Sequence, residues 1–168
     1  MMRTRMEKSQ IYLGEIETQV AFSIRAFDEF LRALDGKDTF SIFYHVHHFL
    51  VHSANIDKLL NVERTPKRKE ALASMFNGRD INLKPFRRLR NHLEHFDERL
   101  DAWVNDHDGS PFFDMNVITG TKGFPPKAFL RAIDGHTLRF YGEAYDLDEL
   151  HSELKAISAA LAASGIRK

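Results

Sequence analysis

Apolar residues return at three- and four-residue intervals along the first part of the chain, the spacing of one helical face rather than the alternation of a strand. Leu13, Ile16, Val20, Ile24, Phe27, Leu31 and Leu34 trace this stripe and predict a helix from about Met6 to Leu34, ended by Asp35-Gly36-Lys37-Asp38 with Gly36 near its C-cap. Thr39 is placed to cap a second helix, about Phe40 to Leu60, in which apolar side chains occupy nearly every side. Such a helix is central or lies at a subunit interface. Thr65-Pro66 offers a cap and a first-turn proline to a short third helix through about Phe76, and Asn77-Gly78-Arg79-Asp80 reads as a turn. A fourth helix is predicted from about Asn82 to Asn105 by the stripe Phe86, Leu89, Leu93, Phe96, Leu100, Trp103 and Val104.

The pattern then changes period. Residues 106–113 read as loop, after which 128–133 and 137–141 flank Asp134-Gly135-His136, a short hairpin signal, and 115–119 offers a third strand. Residues 146–163 return to helical spacing through Leu147, Leu150, Leu154, Ile157, Ala160 and Leu161. The expected architecture is mainly α: an up-and-down bundle of four to five helices with a small antiparallel β-hairpin or sheet, inserted at about 115–145, before the last helix. With 168 residues, one domain spanning 1–168 and one core are expected.

Composition narrows the chemistry. Hydrophobic residues at 43% and charged residues at 29% are those of a folding chain. The absence of cysteine removes disulfides, thiolate nucleophiles and cysteine-ligated zinc. The basic start MMRTRMEKSQ is followed by no apolar run of signal-peptide length, and no run approaches the roughly 20 apolar residues that cross a bilayer, so a cytoplasmic protein without membrane association is expected. Net formal charge is zero, but Arg64, Lys67, Arg68, Lys69, Arg79, Lys84, Arg87, Arg88 and Arg90 crowd one stretch against only Glu70 and Asp80. Solvated helix faces explain such a run, as does a surface that meets phosphate.

The segment Arg90-Asn91-His92-Leu93-Glu94-His95-Phe96-Asp97 follows that basic run. At about 100° per residue, Arg90, Asn91, Glu94 and His95 fall away from the Leu89-Leu93-Phe96-Leu100 stripe, on an outer arc that only a partner surface would cover. An arginine, a polar residue directly after it, and a histidine four intervening residues later resembles the motif of the HEPN superfamily, and Asp97 two positions past His95 is similar to the ending found in its abortive-infection members. Where toxin members carry a tyrosine, Asp97 stands instead, so control through a tyrosine does not carry over. The spacing also fits Arg87 with His92 and Arg88 with His95, but only Arg90 has Asn91 beside it.

The resemblance implies metal-independent RNA cleavage in a groove between two protomers of a homodimer, in a bacterial defence or toxin-antitoxin setting with an antitoxin protein as a further partner. Arg90 would hold phosphate, His95 would transfer protons and Asn91 would orient one of them, with Lys84, Arg87 and Arg88 contacting RNA and no cofactor required. Attack by a ribose 2′-hydroxyl needs a base, an acid and a cation, roles suited to imidazole near neutral pH and to a planar guanidinium. A surface salt-bridge ladder from Arg90 to Glu94 and Asp97 explains the same residues, leaving a non-catalytic bundle that binds nucleotide, RNA or a partner. A third possibility is metal: His45, His48 and His52 share one face of the second helix, and His92 and His95 could complete a site.

Overall fold

The computed structural model describes residues 8–60, 65, 66, 68, 72, 83–106 and 113–163. The first stripe forms α1 (Lys8–Asp35) and the second segment forms α2 (Thr39–Leu60), packed side by side as an antiparallel hairpin. At its centre Phe27 and Phe49 meet with ring centroids 5.1 Å apart. Nearby, the buried hydroxyls of Ser23 and Ser53 both donate to the Phe49 carbonyl, at 3.1 and 2.6 Å, so neither is left unsatisfied. The turn differs in detail from its prediction. Lys37, not Gly36, takes the left-handed conformation, with φ 55°. Asp38, not Thr39, caps α2, its carboxylate receiving the Ser41 amide at 3.1 Å and the Ser41 hydroxyl at 2.6 Å. Those hydrogen bonds hold the Asp38 carboxyl below its ordinary pKa.

Pro66, Arg68 and Leu72 are helical and Leu72 is buried, whereas the rest of the third predicted helix and the Asn77-Gly78-Arg79-Asp80 turn lie outside the described residues. The fourth segment is not one helix. A 3-10 turn, Lys84–Phe86, leads into α3 (Arg87–Glu94), and α4 (Phe96–Asn105) follows after a break at His95, where φ is −113° and ψ 41°. The break spares the hydrogen bonding: the His95 amide donates to the Asn91 carbonyl at 3.1 Å and the His95 carbonyl accepts from the Arg99 amide at 3.0 Å. It does shift the phase of the stripe. Leu89 and Trp103 are buried, while Leu100 and Val104 face solvent.

The insertion is a four-stranded sheet in the order β1 (Asn116–Ile118), β2 (Arg131–Asp134), β3 (Thr137–Phe140), β4 (Glu143–Asp146). Strands β2 to β4 form an antiparallel meander, and β1 adds to β2 in parallel, which the expectation of a purely antiparallel sheet did not include. The β2–β3 turn uses Gly135 at φ 60°; the β3–β4 turn places Tyr141 and Gly142 at φ 50° and 84°, the primed geometry that suits strand twist. Strand β4 runs straight into α5 (Leu147–Ala163), whose first amides are capped by Asp146 through Asp148 at 2.9 Å and Glu149 at 3.1 Å. One apolar core joins α1, α2, α3, the meander and α5. The molecule is thus mainly α with a small sheet before its last helix, and none of the described helices is long and apolar enough to cross a membrane.

Candidate functional site

Asp57 is the only acidic residue of α2, and its side chain is buried. Arg90 Nη1 donates to its Oδ2 at 2.7 Å, and Arg87 Nε lies 3.7 Å from the same oxygen. Ser53 and Ala54, small residues a turn before Asp57, leave a narrow cleft that Leu50, Leu83, Phe86, Leu89 and Leu93 wall off, and the Arg90 side chain crosses it with 24% of its surface exposed. Arg90 therefore does not stand on an outer arc. Its position is on the flank of α3, about 90° from the stripe's centre at 100° per residue, and the flank rests on α2. Its Nε is buried, 3.7 Å from Glu94 Oε2. Glu94 in turn pairs with Lys58 of α2, and Lys58 first, then Arg90, holds its carboxyl below the ordinary range.

The neighbours of Arg90 diverge. Asn91 is exposed. His95, at the break, has 54% of its side chain exposed and its Nδ1 3.1 Å from Glu98 Oε1. Arg88 turns the other way, to Glu143 of β4, with Nη2 2.7 Å from Oε1. The other oxygen of Glu143 accepts the Tyr145 hydroxyl at 2.6 Å, and burial together with this carboxylate pushes the Tyr145 pKa well up. Lys84 is exposed. Of the remaining basic run, Arg68 donates to the Lys58 carbonyl at 3.3 Å, and Arg64, Lys67, Lys69 and Arg79 lie outside the described residues. Arg87, Arg88 and Arg90 thus answer two acids on opposite sides of α3, Asp57 and Glu143, and do not converge on one phosphate-sized point.

His92 completes this second cluster. It is buried, stacks on Phe140 with ring centroids 5.5 Å apart, and accepts a hydrogen bond at Nδ1 from Arg99 Nε at 3.0 Å. A ring that accepts at Nδ1 carries its proton on Nε2, which faces Glu143 at 3.7 Å. Burial pulls the His92 pKa below its ordinary value, with Glu143 opposing. In the register Arg87 to His92, then, both side chains are spent on internal partners. The registers from Arg88 and from Arg90 share the exposed imidazole of His95, and of the two only Arg90 is followed by an exposed amide, Asn91.

The α2 histidines fall where the helical spacing puts them, in a groove shared with Phe22, Arg25 and Glu29 of α1. His52 Nδ1 is 2.8 Å from Gln19 Oε1, and the Tyr44 ring packs 4.2 Å from that of His48 and 5.1 Å from that of His45. Among the described residues no three histidines or carboxylates come close enough together to hold a metal ion. His45, His48 and His52 line a face but do not form a chelate with each other or with His92 and His95.

Asp57 and Glu143 are the site residues that sequence reasoning missed. Asp57 had a legible signal, a lone acid in a greasy helix facing a basic run; Glu143 had none, because its partners depend on the path of the sheet. Comparison with protein-family models, with curated proteins and with solved structures finds no match.

Proposed function

We propose that the chain is a HEPN-like, metal-independent endoribonuclease of a bacterial defence or toxin-antitoxin system, acting as a homodimer. The observation that carries this reading is a guanidinium oriented by a buried carboxylate, Arg90 on Asp57, followed along the same segment by the exposed Asn91 and the exposed imidazole of His95. A guanidinium has five N–H donors, so the bond to Asp57 fixes the fork of Arg90 while others remain for a phosphate oxygen. His95 takes or gives the proton, and Asn91 positions it. One copy offers one exposed imidazole in this segment, whereas 2′-hydroxyl attack with departure of the 5′-oxygen needs a base and an acid. A second copy across a two-fold axis supplies the other.

Incubation with RNA in EDTA tests this. Cleavage that leaves 2′,3′-cyclic phosphate ends and is lost in His95→Ala is expected; His95 is exposed, so the variant keeps its fold. Intact RNA with both proteins defeats the nuclease reading, and cleavage that EDTA stops moves the chemistry to a metal. A second reading, a non-catalytic bundle that binds a partner, is favoured by one observation: Arg87, Arg88 and Arg90 are each answered by an internal acid. In that reading Arg90 is a strut between α3 and α2, and RNA binding is weak and insensitive to Lys84→Ala.

A further inference from the structure

The outer face of the α1–α2 hairpin is the least covered apolar surface among the described residues. Ile11 and Phe22 of α1 and Phe40, Tyr44 and Val51 of α2 are five of the nine large apolar side chains that stand exposed, and Phe40 is 73% accessible. On α2 the steps Phe40, Tyr44, His48, Val51 and Asn55 keep to one face at three- and four-residue intervals. The core uses the opposite face, Ile42, Val46, Phe49, Ser53 and Ile56. Among the described residues the core does not use the aromatic groups on the outside of α2, where an average surface helix places charge.

We propose that this face is where two copies of the chain join, α1 and α2 of one packing on α1 and α2 of the other about a two-fold axis. Charge selects the occupant. The groove at the centre of the face is lined by one arginine and one glutamate, Arg25 and Glu29, and is otherwise aromatic, histidine or small. On the flank of α1 that borders this groove, Glu15, Arg25, Glu29 and Arg32 give two charges of each sign, Arg32 already lying against Glu29, while Glu17 and Asp28 lie on the other flank with Ser158 and Leu161 of α5. A face without net charge attracts neither a nucleic acid nor an acidic or basic peptide, but it suits its own copy.

Size agrees. A helix of 22 residues is about 33 Å long, and two helices side by side are about 20 Å wide. The footprint is then about 650 Å² on each copy, or about 1,300 Å² in all, within the range of stable specific interfaces. The face borders the Arg90 side of the molecule through the Lys58–Glu94 pair, but the inference stands on the exposed residues alone and is independent of the nuclease reading.

His52 makes this junction sensitive to acid. His45, His48 and His52 lie within the face; Arg25 and Glu29 of α1 line the same groove, Asp38 acts on His45, and Gln19 bonds His52. Protonation of His52 on each copy sets a positive charge in the groove that Arg25 already lines. Burial and His48 already hold the His52 pKa below its ordinary value, consistent with a neutral ring at pH 7.5.

Sedimentation of the full chain at pH 7.5 over a concentration series decides the matter, with Tyr44→Glu, Val51→Glu and, as a control on the sheet side, Phe124→Glu. A dimer for the wild type and for Phe124→Glu, with association weakened at least a hundredfold toward monomer in Tyr44→Glu and Val51→Glu at unchanged circular dichroism and melting of the monomer, is expected. At pH 5.5 the wild-type Kd is expected to rise at least tenfold. A monomeric wild type at 100 µM, or a dimer indifferent to both glutamates, overturns the proposal; so does a monomer that shifts a single-stranded oligonucleotide through Tyr44, which would give the face to base stacking. A dimer lost in the glutamates but unchanged at pH 5.5 overturns the role of His52.

Discussion

Asp57→Asn keeps the shape of the α2 side chain and removes its charge, leaving the Arg90 guanidinium over an apolar cleft beside a neutral amide. Two unit charges about 4 Å apart attract by about 4 kcal/mol at an effective dielectric of about 20. Truncating one member of a buried pair typically costs about 3 to 5 kcal/mol, because the other charge stays desolvated. Three features reduce this here: Arg90 keeps 24% of its surface in water, Glu94 Oε2 is 3.7 Å from its Nε, and an asparagine oxygen can still accept one N–H. The expected loss is about 2 kcal/mol, which for a chain of this size lowers Tm by about 4 to 8 °C.

Urea unfolding followed through Trp103, the single tryptophan, measures this loss. A cycle with Arg90→Met is expected to show a coupling of at least about 1 kcal/mol. Lys58→Ala, which breaks the more exposed pair with Glu94, should cost no more than about 0.5 to 1 kcal/mol. If Asp57→Asn unfolds within 0.5 kcal/mol of the wild type, or the cycle closes without coupling, Arg90 is not anchored to α2 inside its own protomer.

The pKa values of His47, His92 and His151 are lowered, in each case first by burial, so the unfolded chain binds more protons than the native one below about pH 6.5. Stability is therefore expected to be full above about pH 6.5 and to fall as pH drops toward the folded values; a flat urea midpoint from pH 7 to pH 5 would contradict it. His151 stacks on Phe27 with centroids 4.0 Å apart and leaves Nε2 buried without a partner, so His151→Phe should be neutral or stabilising at pH 7 and should flatten that pH slope. Tyr145→Phe removes the hydrogen bond to Glu143 and is expected to cost about 1 to 2 kcal/mol; a change below 0.3 kcal/mol would mean that Arg88 alone holds Glu143. His95→Ala, at an exposed position bonded to Glu98, should leave stability within 0.5 kcal/mol, so any loss of RNA cleavage in it reports chemistry rather than unfolding.

Local periodicity carried α1, α2, α5 and the β2–β3 hairpin, because each is decided by residues within a few turns of one another. The break at His95 left no such mark. No glycine or proline stands near it, the hydrogen bonds on both sides survive, and Leu89, Leu93, Phe96 and Leu100 keep helical spacing whether or not the axis bends. Its trace is in the tertiary structure, where Trp103 Nε1 donates to the Lys127 carbonyl at 2.9 Å and aims α4 at the insertion, exposing Leu100 and Val104. The placement of Arg90 failed for a related reason. A helical wheel knows its own stripe but not the neighbour at its flank, and the neighbour here presents a buried carboxylate.

Those two acids also order the functional questions. Asp57 draws Arg87 and Arg90 toward α2 while Glu143 draws Arg88 toward β4, so the basic run does not gather into a phosphate site within one chain. His92, which shares the Glu143 cluster, is closed off by Phe140 and Arg99, leaving His95 as the proton carrier this segment offers to solvent. One imidazole and one tethered guanidinium make half of an acid-base pair. Whether RNA is cut therefore depends on whether a second copy lies close enough to bring the other half. A dimer through α1 and α2 whose Lys58–Glu94 edges approach each other brings the two His95 rings to one side of the assembly; a dimer that carries them to opposite sides leaves each alone and turns the Arg90–Asp57 pair into a strut. Cross-linking an Asn91→Cys variant in the otherwise cysteine-free chain separates these arrangements: rapid disulfide formation in the dimer is expected for the first, and none under oxidant would refute it.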